Sequence, residues 1–414
     1  MKKVARKLRL FLFITSCACS FLYAIILGGF ISWFLFYALL FCLTYVLLLR
    51  ILPLQGMEIE RSLSKDRIMA GEEVTIKLTI SRHSLFPILY FIIEDLLPPS
   101  LSRSIVETGK DAQVSGKVIY FPFFQRTFSY EFRVKPVPRG IFEWDTLRVT
   151  TGDLFGLYQK SRTILCKSSL FVYPAYQTIE HSELAHSLQS GTKRSSRRSS
   201  TTESLTVSVR DYVPGDRLSW LHWKATARSN KLVTKVFEQQ LNEDLVLWID
   251  QSTASYKANE ALFERVISFA ASYALYTIQK GSEAVLYEEK PSLRAQSHSG
   301  FQQKWDMLHK LAGLSLKKES WERAFEGLEM ERSFDGKKLI LFTPILNEAF
   351  VASVKRLRIQ HGDLYVFYFP NDSELSKQEQ TWLHRLRHQE IPALAVTHDH
   401  FQRVLKAGGQ RAGS

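Results

Sequence analysis

Cysteine is scarce in this chain, and its placement excludes more than its number does. Of four cysteines in 414 residues, Cys17, Cys19 and Cys42 lie in apolar runs near the N-terminus, which leaves Cys166 alone in the polar remainder. A single thiol cannot staple that remainder, and no zinc-ligand spacing exists; the pattern suits a compartment that keeps thiols reduced. The short signatures of common enzyme chemistries are also missing. There is no G-x-S-x-G elbow, no H-E-x-x-H helix and no phosphate-cradling P-loop, so nothing marks a serine hydrolase, a zinc protease or a nucleotide hydrolase. Between Arg9 and Arg50 no charged residue occurs at all. A stretch of that length without charge cannot be the surface of a water-soluble domain.

That stretch is two apolar runs, Leu10–Leu27 and Phe30–Leu49, interrupted by Gly28 and Gly29. Each is near the roughly 20 residues that a helix needs to cross a bilayer core. Lys2, Lys3, Arg6, Lys7 and Arg9 precede the first run. The positive-inside rule then predicts a hairpin with the N-terminus and all of the chain after Arg50 in the cytoplasm, a multi-pass arrangement in the cell membrane. A rival reading is a signal peptide, since Ile14-Thr15-Ser16-Cys17 resembles a lipoprotein cleavage box. The apolar run, however, continues well past the short core of such a peptide. The formal charge of +13 is concentrated in these first residues and in the run Lys193–Arg198. Such clusters read as a membrane flank and a solvated linker, and no nucleic-acid partner is expected.

Length allows two further domains. The expected organisation is a basic N-terminus over 1–9, the hairpin over 10–50, an all-β sandwich-like domain over 55–176, a Ser/Arg-rich linker over 177–206, a dense motif over 207–240 and an α/β domain over 241–405. The β assignment rests on alternating segments such as EEVTIKLTI, FSYEFRV and DTLRVTT, punctuated by proline and glycine. The aromatic segment FPFFQRTFSYEF is expected to pack that core. Asp153 in GDLFGLY is expected to hold the backbone of a tight corner. In the α/β part the strands DLVLWID, EAVLYEE, KKLILFTP, DLYVFYFP and IPALAV alternate with helices over Asn259–Lys280, Phe301–Leu311, Asn347–Gln360 and Ser373–Arg387, which implies a parallel sheet with crossover helices on both faces. Ligands of such sheets sit at the carboxyl ends of the strands.

The densest polar chemistry is VSVRDYVPGDRLSWLHWKATARSNKLVTKVF, from Val207 to Phe237. It reads as a strand, a Pro-Gly turn, a helix over RLSWLHWKATAR capped by Asp216, and a second strand. Trp220 and Trp223 would share one helix face. Three uses are open: a structural network in which the Trp rings pack the helix on the next domain, a partner-binding surface, or catalysis. Trp, Tyr and Arg are typical interface anchors. For the last, Asp216, His222, Lys224 and Glu238 could form a metal-dependent hydrolase or nuclease cluster, provided that they converge on one cleft.

The stretch RDYVPGDRLSWLHWKATAR resembles the signature of the domain-of-unknown-function 58 family. The segments PRG and GDLFGLY resemble the family's RG…DPFGL corner, with Leu154 where proline is usual, and EEVTIKLTI followed by EDLLP also fits. The resemblance extends over nearly the whole chain. It implies two N-terminal spans, a β-rich segment and a C-terminal von Willebrand factor A-like, Rossmann-type domain. It also implies a protein partner of the MoxR-type AAA+ ATPase class, and in some members transglutaminase-like membrane proteins. On this reading the chain is a non-enzymatic, membrane-anchored scaffold or adaptor in assembly or maturation of envelope components. Its signature residues Arg210, Tyr212, Pro214, Gly215, Asp216, His222, Trp223, Lys224 and Arg228 would bind the partner or hold the motif together. Von Willebrand factor A-like domains carry D-x-S-x-S after the first strand, where a carboxylate and two hydroxyls hold Mg²⁺. Asp250 and Ser252 match that pattern, Ala254 breaks it with Ser255 one residue on, and Thr343-Pro344 lacks the acidic residue often found at the facing corner. No cofactor is therefore expected, with Mg²⁺ the one candidate.

Overall fold

The computed structural model describes residues 2–51, 56–83, 87–106, 117–153, 155–179, 205–213, 221–229, 231–238, 244–287, 300–330, 337–372 and 375–397, without the side chains of 2–7, 205–210, 229, 235–238 and 300. Residues 180–204 of the linker and Pro214–Trp220 of the dense motif lie outside them, as do Gln239–Glu243 and the end of the chain. The chain divides into two compact units, 1–175 and 176–414.

The first unit begins with helices α1 (Lys2–Leu27) and α2 (Phe30–Ile51), joined by Gly28 and Gly29, whose φ values of 61° and 92° make the reversal. Glycine adopts that left-handed backbone without steric cost. Both helices are long and apolar enough to cross a membrane. Their packing is close, with the rings of Phe21 and Phe36 5.0 Å apart and the small residues Cys17, Ser20, Ala24 and Ser32 buried. The hydroxyls of Thr15, Ser32 and Thr44 each donate to a carbonyl one turn back, so they cost little in an apolar medium.

Nine strands follow: β1 (Met57–Leu63), β2 (Arg67–Met69), β3 (Val74–Arg82), β4 (Phe91–Asp95), β5 (Ile105–Val106), β6 (Lys117–Tyr120), β7 (Thr127–Val134), β8 (Gly140–Gly152) and β9 (Gln159–Tyr173), with a short helix α3 (Pro99–Ser102) after β4. They form two sheets, β1-β3-β7-β5 and β2-β9-β8-β4-β6. Alternation explains the layering. Val74, Ile76, Leu78 and Ile80 of β3 point inward and share one core with Phe91, Ile93, Leu147, Val149, Leu170 and Val172 of the other sheet. Arg61 crosses this core. It grips Asp95 through Nη2–Oδ1 at 2.6 Å and Nε–Oδ2 at 3.1 Å, and donates to the carbonyl of Cys166 at 2.6 Å, with both charged side chains fully buried. The aromatic segment divides: Phe128 and Phe132 are core residues as expected, whereas Phe121, Phe123 and Phe124 are exposed.

In the second unit β10 (Leu205–Asp211) and β11 (Val233–Glu238) form an antiparallel ribbon with α4 (Trp223–Ser229) beside it. Five parallel strands then build the main sheet: β12 (Leu245–Ile249), β13 (Ala284–Leu286), β14 (Lys338–Thr343), β15 (Leu364–Tyr368) and β16 (Ala393–Ala395), in the order β13-β12-β14-β15-β16. Helices α5 (Glu260–Gln279), α6 (Gly300–Gly313), α7 (Trp321–Met330), α8 (Glu348–His361) and α9 (Lys377–His388) connect them. Val246, Trp248, Leu339 and Leu341 face α7, α8 and α9. On the opposite face Phe269 and Tyr273 of α5 meet Phe367 at 5.1 and 5.4 Å. Three helix starts are set by their own side chains: Asn259, Asn347 and Ser376 each accept an amide of the first turn. Helix α7 is an addition to the sequence reading.

Candidate functional site at the carboxyl edge of the parallel sheet

The chain leaves β12 for β13 on one side and passes from β14 to β15 and β16 on the other. The strand order therefore reverses between β12 and β14, the place where open α/β sheets bind ligands. Asp250 ends one of these strands and Thr343 the other. Asp250 is buried, and its Oδ1 accepts the Ser252 amide at 2.9 Å. Its Oδ2 accepts the Thr343 hydroxyl at 3.3 Å. The Thr343 oxygen in turn accepts the Ile345 amide at 3.1 Å, and the Asp250 carbonyl accepts the Tyr256 hydroxyl at 2.8 Å. A neighbouring loop is stitched alongside, with the Lys317 carbonyl accepting both the amide and the hydroxyl of Thr253 at 2.8 Å.

Burial pushes the Asp250 carboxyl up to about 6, because its ionised form is poorly solvated. The Ser252 amide and the hydroxyls of Ser255 and Thr343 pull it back, while the charge of Glu322 pushes the same way as burial. Ser255 is thus near enough to act on the carboxylate, although its Oγ and that of Ser252 are buried without a hydrogen bond of ordinary geometry among the described residues. Orphaned hydroxyls beside a carboxylate are what a hard cation would satisfy. The set holds one carboxylate only, and among the described residues no three His, Cys, Asp or Glu side chains gather. Asp250, Ser252, Ser255 and Thr343 are hard oxygen donors of the kind that Mg²⁺ takes, and they fit half of such a site.

Further along the same edge the Tyr368 hydroxyl, at the end of β15, donates to Glu379. Burial alone would raise Glu379, but Tyr368, Ser376 and the charge of Lys257 bring it below the ordinary carboxylate value. Arg265 donates to the carbonyl of Pro370 at 3.2 Å.

The dense motif lies on the β10–β11 ribbon. Arg210 and Asp211 pair with Thr234 and Val233, and the Tyr212 amide donates to the Leu232 carbonyl at 2.9 Å. Leu221 bridges to Thr234, and the His222 amide reaches the Val233 carbonyl at 2.8 Å. The stretches on both sides of 214–220 are therefore held by one strand. This corrects the expected helix: Leu221 is still paired to a strand, and the helix starts only at Trp223. Its first turn is capped by His222, whose Nδ1 accepts the Ala225 amide at 3.0 Å. The Thr226 hydroxyl oxygen accepts the Val233 amide at 3.1 Å. Trp223 is 68% exposed, so its ring does not pack the helix on the next domain, and Lys224 and Arg228 are exposed with it. Tyr212 is half-buried. Pro214, Gly215, Asp216 and Trp220 lie outside the described residues, as does the side chain of Arg210.

The four proposed catalytic residues are not brought together by what is described. His222 is hydrogen-bonded to the chain at Val233, whereas Glu238 lies five residues further along β11, about 16 Å at the spacing of a strand. The sequence reading missed Thr343 as a partner of Asp250, and it missed Tyr368 with Glu379. A shared signal was present, since Asp250, Thr343 and Tyr368 each directly follow or close an apolar strand run.

Residues 208–404 match the family described as "Protein of unknown function DUF58". The chain is 35% identical over 269 residues to the uncharacterized protein YeaD of Bacillus subtilis strain 168, a match spanning 65% of each chain. Among solved structures it shows a likeness to a bacterial hydrophobin, BslA, covering 29% of this chain and 97% of that one at 12% identity and a TM-score of 0.21. A CARDB domain from Pyrococcus furiosus, crystallised with two metal ions, covers 29% of this chain and 97% of its own at 5% identity and a TM-score of 0.20. Likeness of that degree carries no functional argument.

Proposed function

We propose that the chain is a membrane-anchored, non-enzymatic scaffold whose second unit, a von Willebrand factor A-like domain, engages a protein partner on the cytoplasmic side. The observation that carries this reading is the exposure of Trp223. Helix α4 is tied to β11 by the bond from the His222 amide to the Val233 carbonyl and by the Thr226–Val233 bond, yet it turns a large aromatic ring, Lys224 and Arg228 outward. A rigid element that spends its hydrogen bonds on displaying Trp and Arg has the composition of a protein interface. The hairpin supports the anchor, and the five basic residues before Leu10 support the cytoplasmic orientation. The partner class comes from the family resemblance: a MoxR-type AAA+ ATPase, with the pair acting in assembly or maturation of envelope components.

The carboxyl edge of the sheet is a second contact on this reading. Asp250, Ser252, Ser255 and Thr343 would hold Mg²⁺ there, and the ion would supply an open position for an acidic group of the partner. Affinity capture of the detergent-solubilised full chain, with and without Mg²⁺ and ATP, tests the proposal. Wild type is expected to recover an AAA+ ATPase and Trp223→Ser to lose most of it. Recovery of no ATPase under any nucleotide condition, or equal recovery by the variant, refutes it.

A further inference from the structure

We infer that the β domain of the first unit rests on the lipid bilayer itself, inserting a phenylalanine-bearing loop into the headgroup–acyl boundary beside its own membrane hairpin. The inference rests on the hairpin being membrane-embedded and adds a second, peripheral contact to it. Four phenylalanines on two loops are exposed: Phe121, Phe123 and Phe124 between β6 and β7 at 58%, 51% and 66%, and Phe155 between β8 and β9 at 60%. Exposed phenylalanines on two loops of a domain whose other described large aromatics are buried or half-buried mark a contact surface.

The fold says what covers it. Both loops lie at the one end of the sandwich that touches the hairpin. The Phe155 ring stacks on Phe13 of α1 with centroids 6.3 Å apart, and a Cβ on Gly156 would stand 3.4 Å from the Arg9 guanidinium. The Tyr45 hydroxyl of α2 donates to the Pro87 carbonyl at 3.2 Å, and the next residue, Ile88, donates its amide to the Phe123 carbonyl, also at 3.2 Å. Phe13 and Tyr45 are four and five residues inward of Arg9 and Arg50, the charges that bound the apolar runs. At 1.5 Å per residue the contacts sit about 6–8 Å inside those charges. That is the depth at which interfacial aromatic side chains reside, about 5–10 Å into the boundary. A loop in register with these contacts meets lipid.

The loops are also built to hold their shape. Arg82 is buried and spends its guanidinium on the carbonyls of Phe123 and Gln125, both at 2.6 Å, which fixes the backbone that carries the phenylalanines. Asp153 does the same for the other loop, its carboxylate accepting the amides of Phe155, Leu157 and Tyr158 at 2.8, 3.1 and 2.5 Å. Arg126 and Lys160 flank the two loops at this end, where anionic headgroups would meet them.

Site-directed spin labelling of the full chain in nanodiscs of phosphatidylethanolamine and phosphatidylglycerol tests this. The four native cysteines are replaced by serine, and single labels are attached through Phe121→Cys, Phe124→Cys, Phe155→Cys, Phe41→Cys and Leu165→Cys. Leu165 is apolar and 73% exposed but lies away from the hairpin end, so it reports what exposure alone does, and Phe41 reports the hairpin. Labels at 121, 124 and 155 are expected to meet oxygen several-fold more than a water-soluble nickel chelate, as label 41 does, with the reverse at 165. Nickel access at 121, 124 and 155 equal to that at 165, while 41 remains lipid-exposed, overturns the inference and leaves the anchor standing. Shielding of those three labels from both reagents also overturns it, because protein then covers the loops. Nickel access at 41 removes the embedded hairpin, and the inference with it.

Discussion

Replacing Asp250 by asparagine should stabilise the α/β unit at neutral pH. Burial lifts this carboxyl from its ordinary 3.8 to about 6. For an acid with its folded pKa above the unfolded one, the folded state holds the proton more tightly between the two values. The group's contribution is therefore most favourable below about pH 4, declines as pH rises through the window from about 4 to about 6, and is constant above it. A tenfold difference in proton affinity between folded and unfolded states is worth about 1.4 kcal/mol, so ionised Asp250 costs the fold about 3 kcal/mol at neutral pH. Asparagine keeps an acceptor for the Ser252 amide and turns a donor toward the Thr343 oxygen; allowing about 1 kcal/mol for poorer hydrogen bonds leaves a gain of about 2 kcal/mol. Hydrogen–deuterium exchange of peptides spanning β12 and β14 reads this locally. Corrected for intrinsic rates, Asp250→Asn should exchange about 30-fold more slowly than wild type near pH 7.5, the difference closing toward pH 4. Saturating Mg²⁺ should slow exchange in wild type alone if the four oxygen donors hold it. Equal exchange of the two proteins across the whole range would refute the electrostatic account of the site.

Other perturbations test other parts of the structure. Arg61→Met strands Asp95 in the sandwich core and should cost about 3–5 kcal/mol in urea unfolding of the full chain, with much of the loss recovered by adding Asp95→Leu. His222→Ala removes the acceptor of the Ala225 amide and should cost about 1 kcal/mol locally, seen as faster exchange in α4 with β12 unaffected. Asp153→Ala orphans three amides of the turn that carries Phe155, for about 2 kcal/mol of stability; it should also raise nickel access of a label at 155.

How much of this was legible in the sequence depended on whether a feature was local. The hairpin was legible because charge is absent between Arg9 and Arg50 and because Gly28-Gly29 interrupts the run. Helices α5 and α8 were legible in extent, since Asn259 and Asn347 stand at their starts and cap them, whereas α9 was read from Ser373 and begins at Lys377, after the Ser376 cap. Asp153 was legible as a corner because its partners are two to five residues away. Helix α7 was not: only Trp321, Phe325 and Leu328 are buried, a narrow stripe in a charged segment, and the helix forms by packing that stripe on Trp248 and Phe350. The start of α4 was misread because RLSWLHWKATAR has helical composition throughout, while Leu221 is claimed by Thr234 of a distant strand. Arg61 and Asp95 share the inward parity of Met57 and Ile59 and of Phe91 and Ile93, but only the pairing of the two sheets shows that these two charges meet in one core. Thr343 became the partner of Asp250 through the register Ile249↔Phe342, which no spacing within either strand contains.

The carboxyl edge also bears on whether the protein is a catalyst. Active sites of that kind set two titratable groups within reach and push their pKa values apart. At first sight this edge does so, with Asp250 raised and Glu379 lowered. Their supports, however, are the ends of β12 and β15, which are separated by β14. Two strand spacings place those ends about 10 Å apart. Glu379 is moreover committed to Tyr368 and to the amide and hydroxyl of Ser376. A carboxylate so engaged accepts no proton from a substrate without dismantling the cap of α9. Asp250 is left with hydroxyls and an amide around it, the surroundings that the proposed binding role requires. On the proposed function, the titration of Asp250 near neutral pH would tune how much negative charge that edge offers to Mg²⁺. Partner capture should accordingly weaken as pH falls below about 6 in wild type and stay level in Asp250→Asn; a pH profile identical in the two proteins would remove Asp250 from the interface.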